Sequence, residues 1–335
     1  MSSVEQAPRL PRSFAARDYL TGDCFQLRQS KEGGFRTHPT PKDIATYYPS
    51  LYYGHGTTRR FPAIVEWIQR KLYERRAGLV EAAVGRTGRV LDIGCGPGHL
   101  LAAFRRRGWE TLGTEIDEAA AAVGRARHNL EVKAGPVEEL SLPIESFDAV
   151  VSWHTLEHMP NPGEVLVVAA GLLKPNGVLL VSVPDIGSPE AIAAGPAWFH
   201  LDVPRHLAHF DAAALRRLLG EVGLTVEAES HAAPEYDLFS LLQTWQNQRG
   251  LPHNLLYLLL KGSARMCYPD VKLGQCLRAG LHAALWALPA LAVTQWRAWQ
   301  GTGSVVVISA RKVANDCTPG VISAPQTACI RPGSA

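Results

Sequence analysis

Residues 89–107 have the composition of a nucleotide-binding turn. A short apolar run over residues 89–93 leads directly into Gly94, Gly96 and Gly98, and a helical pattern follows. Glycine has no Cβ, so the backbone can turn sharply there and approach a ligand closely. The first turn of the next helix offers N–H groups that have no partner within the helix. This order of strand, glycine turn and helix predicts a site for a nucleotide-like ligand.

A carboxylate follows the glycine turn at the spacing expected of a ribose ligand. Glu115 lies at the predicted end of the next strand, roughly 20 residues further along. A carboxylate there can accept hydrogen bonds from both ribose hydroxyls of a nucleoside. Nicotinamide-dependent oxidoreductases share these two features. The glycines here are spaced as G-x-G-x-G rather than G-x-G-x-x-G, which argues against that class.

Strands and helices alternate around these residues. Strand-like apolar runs lie at residues 89–93, 110–115, 130–133, 146–152, 178–183, 224–229 and 304–310. Parallel strands joined by helices form a right-handed wound sheet that is covered on both faces. The fold class is therefore predicted to be α/β: a Rossmann-like, seven-stranded, mostly parallel sheet with helices on both faces and a helical insert before the last strand. Asp211 is predicted to cap the helix that follows it.

Taken together, the motifs resemble those of the class I S-adenosylmethionine-dependent methyltransferases. The first motif reads Asp-Ile-Gly-Cys-Gly-Pro-Gly over residues 92–98, and similar stretches follow at 113–117, 140–150, 154–162 and 172–184. The ubiquinone-biosynthesis type of O-methyltransferase and related bacterial small-molecule methyltransferases look nearest. The resemblance covers residues 89–230 and the last strand. It implies that S-adenosylmethionine is the cofactor and S-adenosylhomocysteine the product.

The resemblance also implies a cofactor site. Gly94, Cys95, Gly96 and Gly98 would line the methionine and ribose parts of the cofactor, and Asp92 would approach its amino group. Glu115 would hold the ribose hydroxyls, with Ile116 on the adenine face.

The same resemblance implies which residues contact the adenine and the sulfonium of the cofactor. Relatives often place an acidic residue where this chain has Pro136, so adenine recognition would depend on Val137 and Glu138. Trp153 and His154 would lie beside the sulfonium. The departure at Pro136 motivates an alternative function, a catalytically inactive binding or regulatory protein of the same fold.

Methyl transfer to a hydroxyl oxygen requires a base, and histidine has a suitable pKa. His206 is the first candidate for the base or substrate-orienting group, followed by His200 and His154. The alternative is that His206, Arg205 and Asp202 only brace their loop against the sheet.

The segment from His154 to His158 reads H-x-x-E-H, which is a zinc-protease pattern. It follows a predicted parallel strand rather than lying within a long helix, so we reject that interpretation and predict no metal ligand. Some relatives hold a divalent cation here with Glu where this chain has His154, and the sequence offers no support for such an ion.

The sequence predicts four parts: a loosely structured lead (1–60), the methyltransferase domain (61–230 plus 304–312), a helical insert or cap (231–303) and a disordered tail (313–335). The insert is rich in Leu and Trp, which favours a small, apolar or lipid-like acceptor, or a membrane-facing surface. A dimer surface or a self-contained helical core remains an equal alternative. Its longest apolar run, residues 281–293, is too short to span a bilayer and predicts a buried helix or an interfacial contact.

Composition limits the partners and the compartment. The formal net charge is +3 and the basic runs are short, which argues against nucleic acid. The six cysteines contain no C-x-x-C pair, and the first residues have no apolar core of a signal peptide. We therefore predict a cytoplasmic protein, with peripheral contact at the inner membrane face left open. The acceptor, the atom methylated and the oligomeric state stay undetermined by the sequence.

Overall fold

A computed structural model describes residues 9–48 and 63–313 of the chain. The strands are β1 (Ser13–Arg17), β2 (Cys24–Gln29), β3 (Phe35–His38), β4 (Arg89–Ile93), β5 (Glu110–Glu115), β6 (Val132–Ala134), β7 (Phe147–Trp153), β8 (Leu173–Pro184), β9 (Ala208–His209), β10 (Leu224–Ser230) and β11 (Val305–Lys312). The helices are α1 (Ala63–Val84), α2 (His99–Arg106), α3 (Glu118–His128), α4 (Pro162–Leu172), α5 (Pro189–Ala194), α6 (Ala212–Glu221), α7 (Pro234–Gln248), α8 (Leu255–Lys261), α9 (Ala264–Cys267) and α10 (Leu273–Trp299).

The larger sheet has seven strands in the order β10-β11-β8-β7-β4-β5-β6. Strand β11 runs antiparallel to both of its neighbours, and the pairs from β8 to β6 are parallel. This confirms the predicted Rossmann-like, mostly parallel sheet. The order of the strands reverses between β4 and β7, and ligands bind at such a point in open α/β sheets.

Each face of this sheet carries its own apolar core. Successive side chains of a strand point to opposite faces. Leu91 accordingly packs in the cluster that contains α4 and α6, whereas Val90 packs in the cluster that contains α1 and α2. The helices on both faces are therefore as predicted. Asp211 caps α6 as predicted, because its carboxylate accepts a hydrogen bond from the N–H of Ala214 at 2.7 Å.

The N-terminal lead is ordered where the structure describes it, which corrects the expectation of a loosely structured segment for residues 9–48. Strands β1, β2 and β3 form an antiparallel meander, and β9 extends it to four strands. In β2 the buried Phe25 and Leu27 alternate with exposed neighbours, a period of two typical of a strand. Short strands in a Pro- and Gly-rich context obscured this pattern. The remainder of the predicted lead, residues 1–8 and 49–60, lies outside the described residues.

Helices α7 to α10 form the predicted insert between β10 and β11, which are hydrogen-bonded neighbours. Among the described residues, α10 is the one helix long and apolar enough to span a membrane by length and composition. The expectation that residues 281–293 form a buried helix is wrong, because Leu281, Leu285 and Leu288 are between 61% and 77% exposed. Residues 314–335, within the predicted tail, lie outside the described residues.

Candidate active site

A cleft of about 1270 Å³ lies at the carboxyl ends of the parallel strands of the large sheet. One group of lining residues follows β4, β5 and β6, and we call it the glycine group: Gly94, Gly96, Thr114, Glu115, Ile116, Asp117, Gly135, Pro136, Val137 and Glu138. A second group comes from the N-terminal segment, the 198–210 loop and the insert, and we call it the aromatic group: Tyr19, Tyr48, Phe199, Tyr236, Phe239 and Tyr257. One cleft thus joins the predicted nucleoside site to the insert.

The glycine turn after β4 has the backbone that its sequence predicts. Gly94, Gly96 and Gly98 all have positive φ values, +70°, +52° and +78°. A Cβ at Gly94 would come within 2.2 Å of the Thr155 side chain, so this position is closed to other residues. A Cβ at Gly96 would meet nothing within 4 Å, because this glycine faces the open cleft.

Glu115 fixes the turn and lies at the cleft wall. One carboxylate oxygen accepts a hydrogen bond from the N–H of Gly96 at 2.8 Å, and the other accepts one from Asp117 at 3.0 Å. Each carboxylate oxygen can accept more than one hydrogen bond, so acceptor capacity remains for ribose hydroxyls. The next residue, Ile116, lines the cleft and is 71% exposed. Val137 and Glu138 line the cleft as well, beside Pro136.

Three side chains that the resemblance assigned to the cofactor are not among the residues lining the cleft. Asp92 is buried, and burial together with the nearby Glu115 raises its pKa to about 8. Cys95 packs against the small apolar cluster that contains Leu101. Trp153 faces α1, where the Arg76 guanidinium stacks on its ring at 4.6 Å.

Their placement has a simple cause. Strand β7 ends at Trp153, whose side chain faces α1, and the left-handed φ of the next residue, His154, turns that side chain to the cleft. Gly98 also lies outside the lining and forms the N-cap of α2, where its backbone closes the turn. Arg76, the partner of Trp153 on α1, is itself buried.

His154 lines the cleft at the end of β7 and is oriented by Glu157. Its Nδ1 lies 3.1 Å from Oε1 of Glu157, and its backbone φ is +51°. Burial raises the pKa of Glu157, but its hydrogen bond with His154 and the nearby histidines lower it to about 2. An ionised carboxylate only accepts, so Nδ1 of His154 donates the proton in this contact. Its Nε2 is buried without a hydrogen-bond partner among the described residues.

His206 and His200 line the same cleft. Nδ1 of His206 lies 2.9 Å from the carbonyl oxygen of His200, so it donates a proton there and leaves Nε2 as an acceptor. Burial and the neighbouring His158 lower the pKa of His206 to about 4. Burial also lowers the pKa of His200 well below its ordinary value, and its ring stacks on His154 with a centroid distance of 6.3 Å. The structure thus brings all three predicted catalytic histidines to one cleft.

Glu157, His158 and His206 place three ligand atoms within 4.8 Å of one another. Nδ1 of His158 lies 3.0 Å from the carbonyl oxygen of Arg205, which orients the other ring nitrogen. Oε2 of Glu157 is buried and has no partner among the described residues. One carboxylate and two imidazoles fit a divalent cation chemically.

This arrangement differs from a zinc-protease site. Leu156–His158 form a single 3-10 turn rather than part of a long helix, which agrees with the rejection of that motif. His206 is the metal-ligand candidate that the H-x-x-E-H pattern did not indicate, because it comes from a distant loop. His154, the first residue of that pattern, is not part of the three-residue group.

Arg205 acts as a brace for the 198–210 loop. It is fully buried and pairs with Asp18 and Asp202, each with an N–O distance of 2.7 Å. Burial raises the pKa of Asp202, but the Arg205 guanidinium holds it well below the ordinary value. The sequence raised this bracing role for Arg205 and Asp202 as an alternative. Their partner Asp18 carried no sequence signal.

A family profile described as a methyltransferase domain matches residues 64–229. These residues are a class I S-adenosylmethionine-dependent methyltransferase domain. A probable S-adenosylmethionine-dependent methyltransferase of Mycolicibacterium smegmatis is 33% identical over 178 residues, which are 50% of this chain and 64% of the relative. A ubiquinone biosynthesis O-methyltransferase of Acinetobacter baumannii is 37% identical over 128 residues, which are 36% of this chain and 50% of the relative.

The structure of a methyltransferase is also among the matches to solved structures. The geranyl diphosphate C-methyltransferase of Streptomyces coelicolor is 13% identical, with a TM-score of 0.45; the match covers 72% of this chain and 81% of that one. The curated relatives match along roughly half to two thirds of their own length. The methyltransferase domain is therefore shared, whereas the meander β1–β3 lies outside the residues that the family profile covers.

Proposed function

We propose that the whole chain transfers a methyl group from S-adenosylmethionine to an oxygen of a small, apolar or lipid-like acceptor. The observation that carries this proposal is the continuous cleft, which joins the glycine group to the aromatic group. The first group matches the cofactor motifs of the methyltransferase domain. The second offers apolar surface that is large enough for an organic acceptor.

The acceptor class follows from the character of the second group. Phe199, Phe239 and Tyr257 form a mutual cluster with ring centroids 5.3 to 6.3 Å apart. Leu260 at the end of α8 also lines the cleft. Aromatic and aliphatic side chains favour an apolar ligand with few polar groups.

The reaction is a displacement in which the acceptor oxygen attacks the methyl carbon of the sulfonium. The oxygen–carbon bond forms as the carbon–sulfur bond breaks, and the electron pair stays on the sulfur of S-adenosylhomocysteine. The acceptor O–H proton passes to Nε2 of His154, which Glu157 holds in the correct tautomer. His154 is favoured over His206 because it lies directly at the end of β7 and has the carboxylate partner.

A divalent cation, if bound, would be held by Glu157, His158 and His206, and it would polarise an acceptor oxygen. The contact between His154 and Glu157 is separate from such an ion. His154 uses Oε1 of Glu157, which leaves Oε2 as the oxygen for a cation.

Calorimetric titration with S-adenosylhomocysteine tests the cofactor site. We expect micromolar binding to the wild-type chain and none to Gly96→Arg, because an arginine at Gly96 extends into the open cleft. Gly85→Arg is the matched control. Gly85 also has a positive φ (+80°) and open space around its Cβ, but it lies at the end of α1 away from the cleft. Equal loss in both variants, or no binding to a folded wild-type chain, would overturn the assignment.

Transfer itself is measured with S-adenosylmethionine that carries a labelled methyl group. Apolar phenols and long-chain hydroxyl compounds form the first acceptor set, and polar amines of similar size form the comparison set. We expect label in the first set. Cofactor binding without turnover on either set would favour the alternative of an inactive binding protein.

A further inference from the structure

Helix α10 exposes a long apolar stripe on the face opposite to the one it buries. The exposed large side chains recur every three or four residues over much of its length, as one face of a helix requires. The stripe consists of Leu273, Leu277, Leu281, Leu285, Leu288, Leu291, Trp296 and Trp299, each between 38% and 82% exposed. Soluble proteins rarely leave a continuous apolar surface of this length in water.

The other face of α10 is held to the rest of the fold along its whole length. Near its start, Gln246 donates a hydrogen bond to the carbonyl of Ala279 at 3.0 Å. In the middle, the Trp286 ring packs edge-on against Trp245 at 5.7 Å. Near its end, Arg297 lies 3.5 Å from the buried Glu190. A helix fixed at three points cannot cross a bilayer while these contacts persist, but it can lie on one.

The charge around the stripe separates a bilayer from a second copy of the chain. Residues 261–299 contain five basic residues and one acidic residue. Arg265 on α9, Lys272 at the N-cap of α10 and Arg278 on α10 are exposed. A twofold dimer through this face would bring like charges together, because the same surface meets itself. An anionic headgroup layer attracts basic side chains and leaves the apolar side chains in the acyl boundary.

We propose that the apolar stripe of α10 docks the protein on the surface of an anionic membrane, with the helix parallel to the bilayer plane. Trp296 and Trp299 lie at the end of the stripe, and tryptophan favours the headgroup level. The inference is independent of the methyl-transfer chemistry, since it concerns a surface outside the cleft-lining residues.

Vesicle flotation with the purified full chain tests the proposal. One set of vesicles contains phosphatidylcholine alone, and the other contains phosphatidylcholine and phosphatidylglycerol in equal amounts. We expect the chain to float with the anionic vesicles, and added salt to weaken its binding. The double variant Leu285→Glu/Leu288→Glu should bind at least about tenfold more weakly, because it removes two apolar contacts.

The matched control is Ile144→Glu/Val167→Glu. These two residues are 78% and 60% exposed, so the control adds the same charge at similarly exposed sites away from α10. We expect it to lower binding much less than the stripe variant. Lys272→Gln/Arg278→Gln should weaken binding to the anionic vesicles selectively. Both stripe positions are exposed, so thermal unfolding should match that of the wild type.

Three outcomes would overturn the proposal. The first is a wild-type chain that stays unbound with anionic vesicles. The second is equal binding by the stripe variant and the control. The third is a wild-type dimer in light scattering that the stripe variant dissociates, with no vesicle binding, since a second copy would then cover the stripe.

Discussion

The backbone conformation at His154 positions the side chain that we propose as the base. Its φ of +51° lies in the left-handed region, which directs the side chain from the end of β7 into the cleft. Glu157, three residues later, contacts its Nδ1 and leaves Nε2 without a hydrogen-bond partner among the described residues. The sequence places His206 before His200 and His154 as the candidate base, and only the contacts in the structure favour His154.

The role of His154 as base is tested by His154→Asn. Asparagine tolerates a positive φ, so the fold should persist. We expect kcat to fall by about 10²-fold or more, since general-base catalysis contributes about that factor. The dissociation constant of S-adenosylhomocysteine should stay within a few-fold of the wild-type value.

His206→Asn is the companion variant for that measurement. If it removes turnover while His154→Asn leaves it intact, the base is His206, as first ranked. A matched structural control is His209→Asn, because Nε2 of His209 is 3.0 Å from the Thr37 hydroxyl rather than facing the cleft.

Helix packing explains how the insert is attached. Glu190 on α5 is 4% exposed and accepts hydrogen bonds from Ser240 at 2.6 Å and Thr244 at 3.1 Å, both on α7. Burial raises the pKa of Glu190 to about 7, although the bond from Ser240 opposes this. The same carboxylate reaches Arg297 on α10. One buried acid thus connects the methyltransferase domain to two helices of the insert.

The pH dependence of stability follows from the raised pKa of Glu190. The folded state binds the proton on the Glu190 carboxyl more tightly than the unfolded chain does, because the pKa of this carboxyl is near 4.5 when the chain is unfolded. The stabilisation from this tighter proton binding is complete below about pH 4.5 and is lost as the pH rises through about 7. Relative to Glu190→Gln, the wild type should lose up to about 3 kcal/mol of unfolding free energy over that window.

Urea unfolding at several pH values measures the difference between the two proteins. Glu145→Gln is the control, since Glu145 is 52% exposed in its pair with Lys312 and should show no such trend. A Glu190→Gln difference that stays constant from acid to neutral pH would contradict the raised pKa.

A buried ion group links the small sheet to the loop beside the large sheet. Asp18 follows β1 of the small sheet, whereas Arg205 and Asp202 belong to the loop beside the large sheet. The Arg205 guanidinium also donates a hydrogen bond to the Tyr47 carbonyl at 3.1 Å. This group places Tyr19 and Tyr48 at the cleft, so the N-terminal segment completes the aromatic group.

Arg205→Ala is expected to lower the unfolding free energy by about 3–5 kcal/mol, because two buried carboxylates lose their cation. Arg216→Ala should cost less than about 1 kcal/mol, since Arg216 pairs with Glu229 while its own side chain is 47% exposed. Urea unfolding compares the two variants. Similar losses in both would show that the buried pair contributes no more than a surface pair.

The sequence by itself determined the large sheet and the glycine side of the cleft. A strand, a glycine turn and a helix are local features, and their residue types permit few other backbones. The sequence could therefore place Gly94, Gly96 and Glu115 at one edge of the sheet, where they line the cleft. The period of the apolar residues likewise predicted the strand and helix order. Both signals act over a few residues, which is why they can be identified without the fold.

Only the tertiary structure decided which side chains meet. Asp18 and Arg205 are 187 residues apart, and His206 is 48 residues beyond His158, so no local spacing links them. The backbone at the end of β7 also decided that His154 lines the cleft and Trp153 does not, since the chain changes from extended to left-handed between them. The exposure of α10 depends on which of its faces packs against α7, because an amphipathic pattern alone fits a buried helix and an interfacial one equally well.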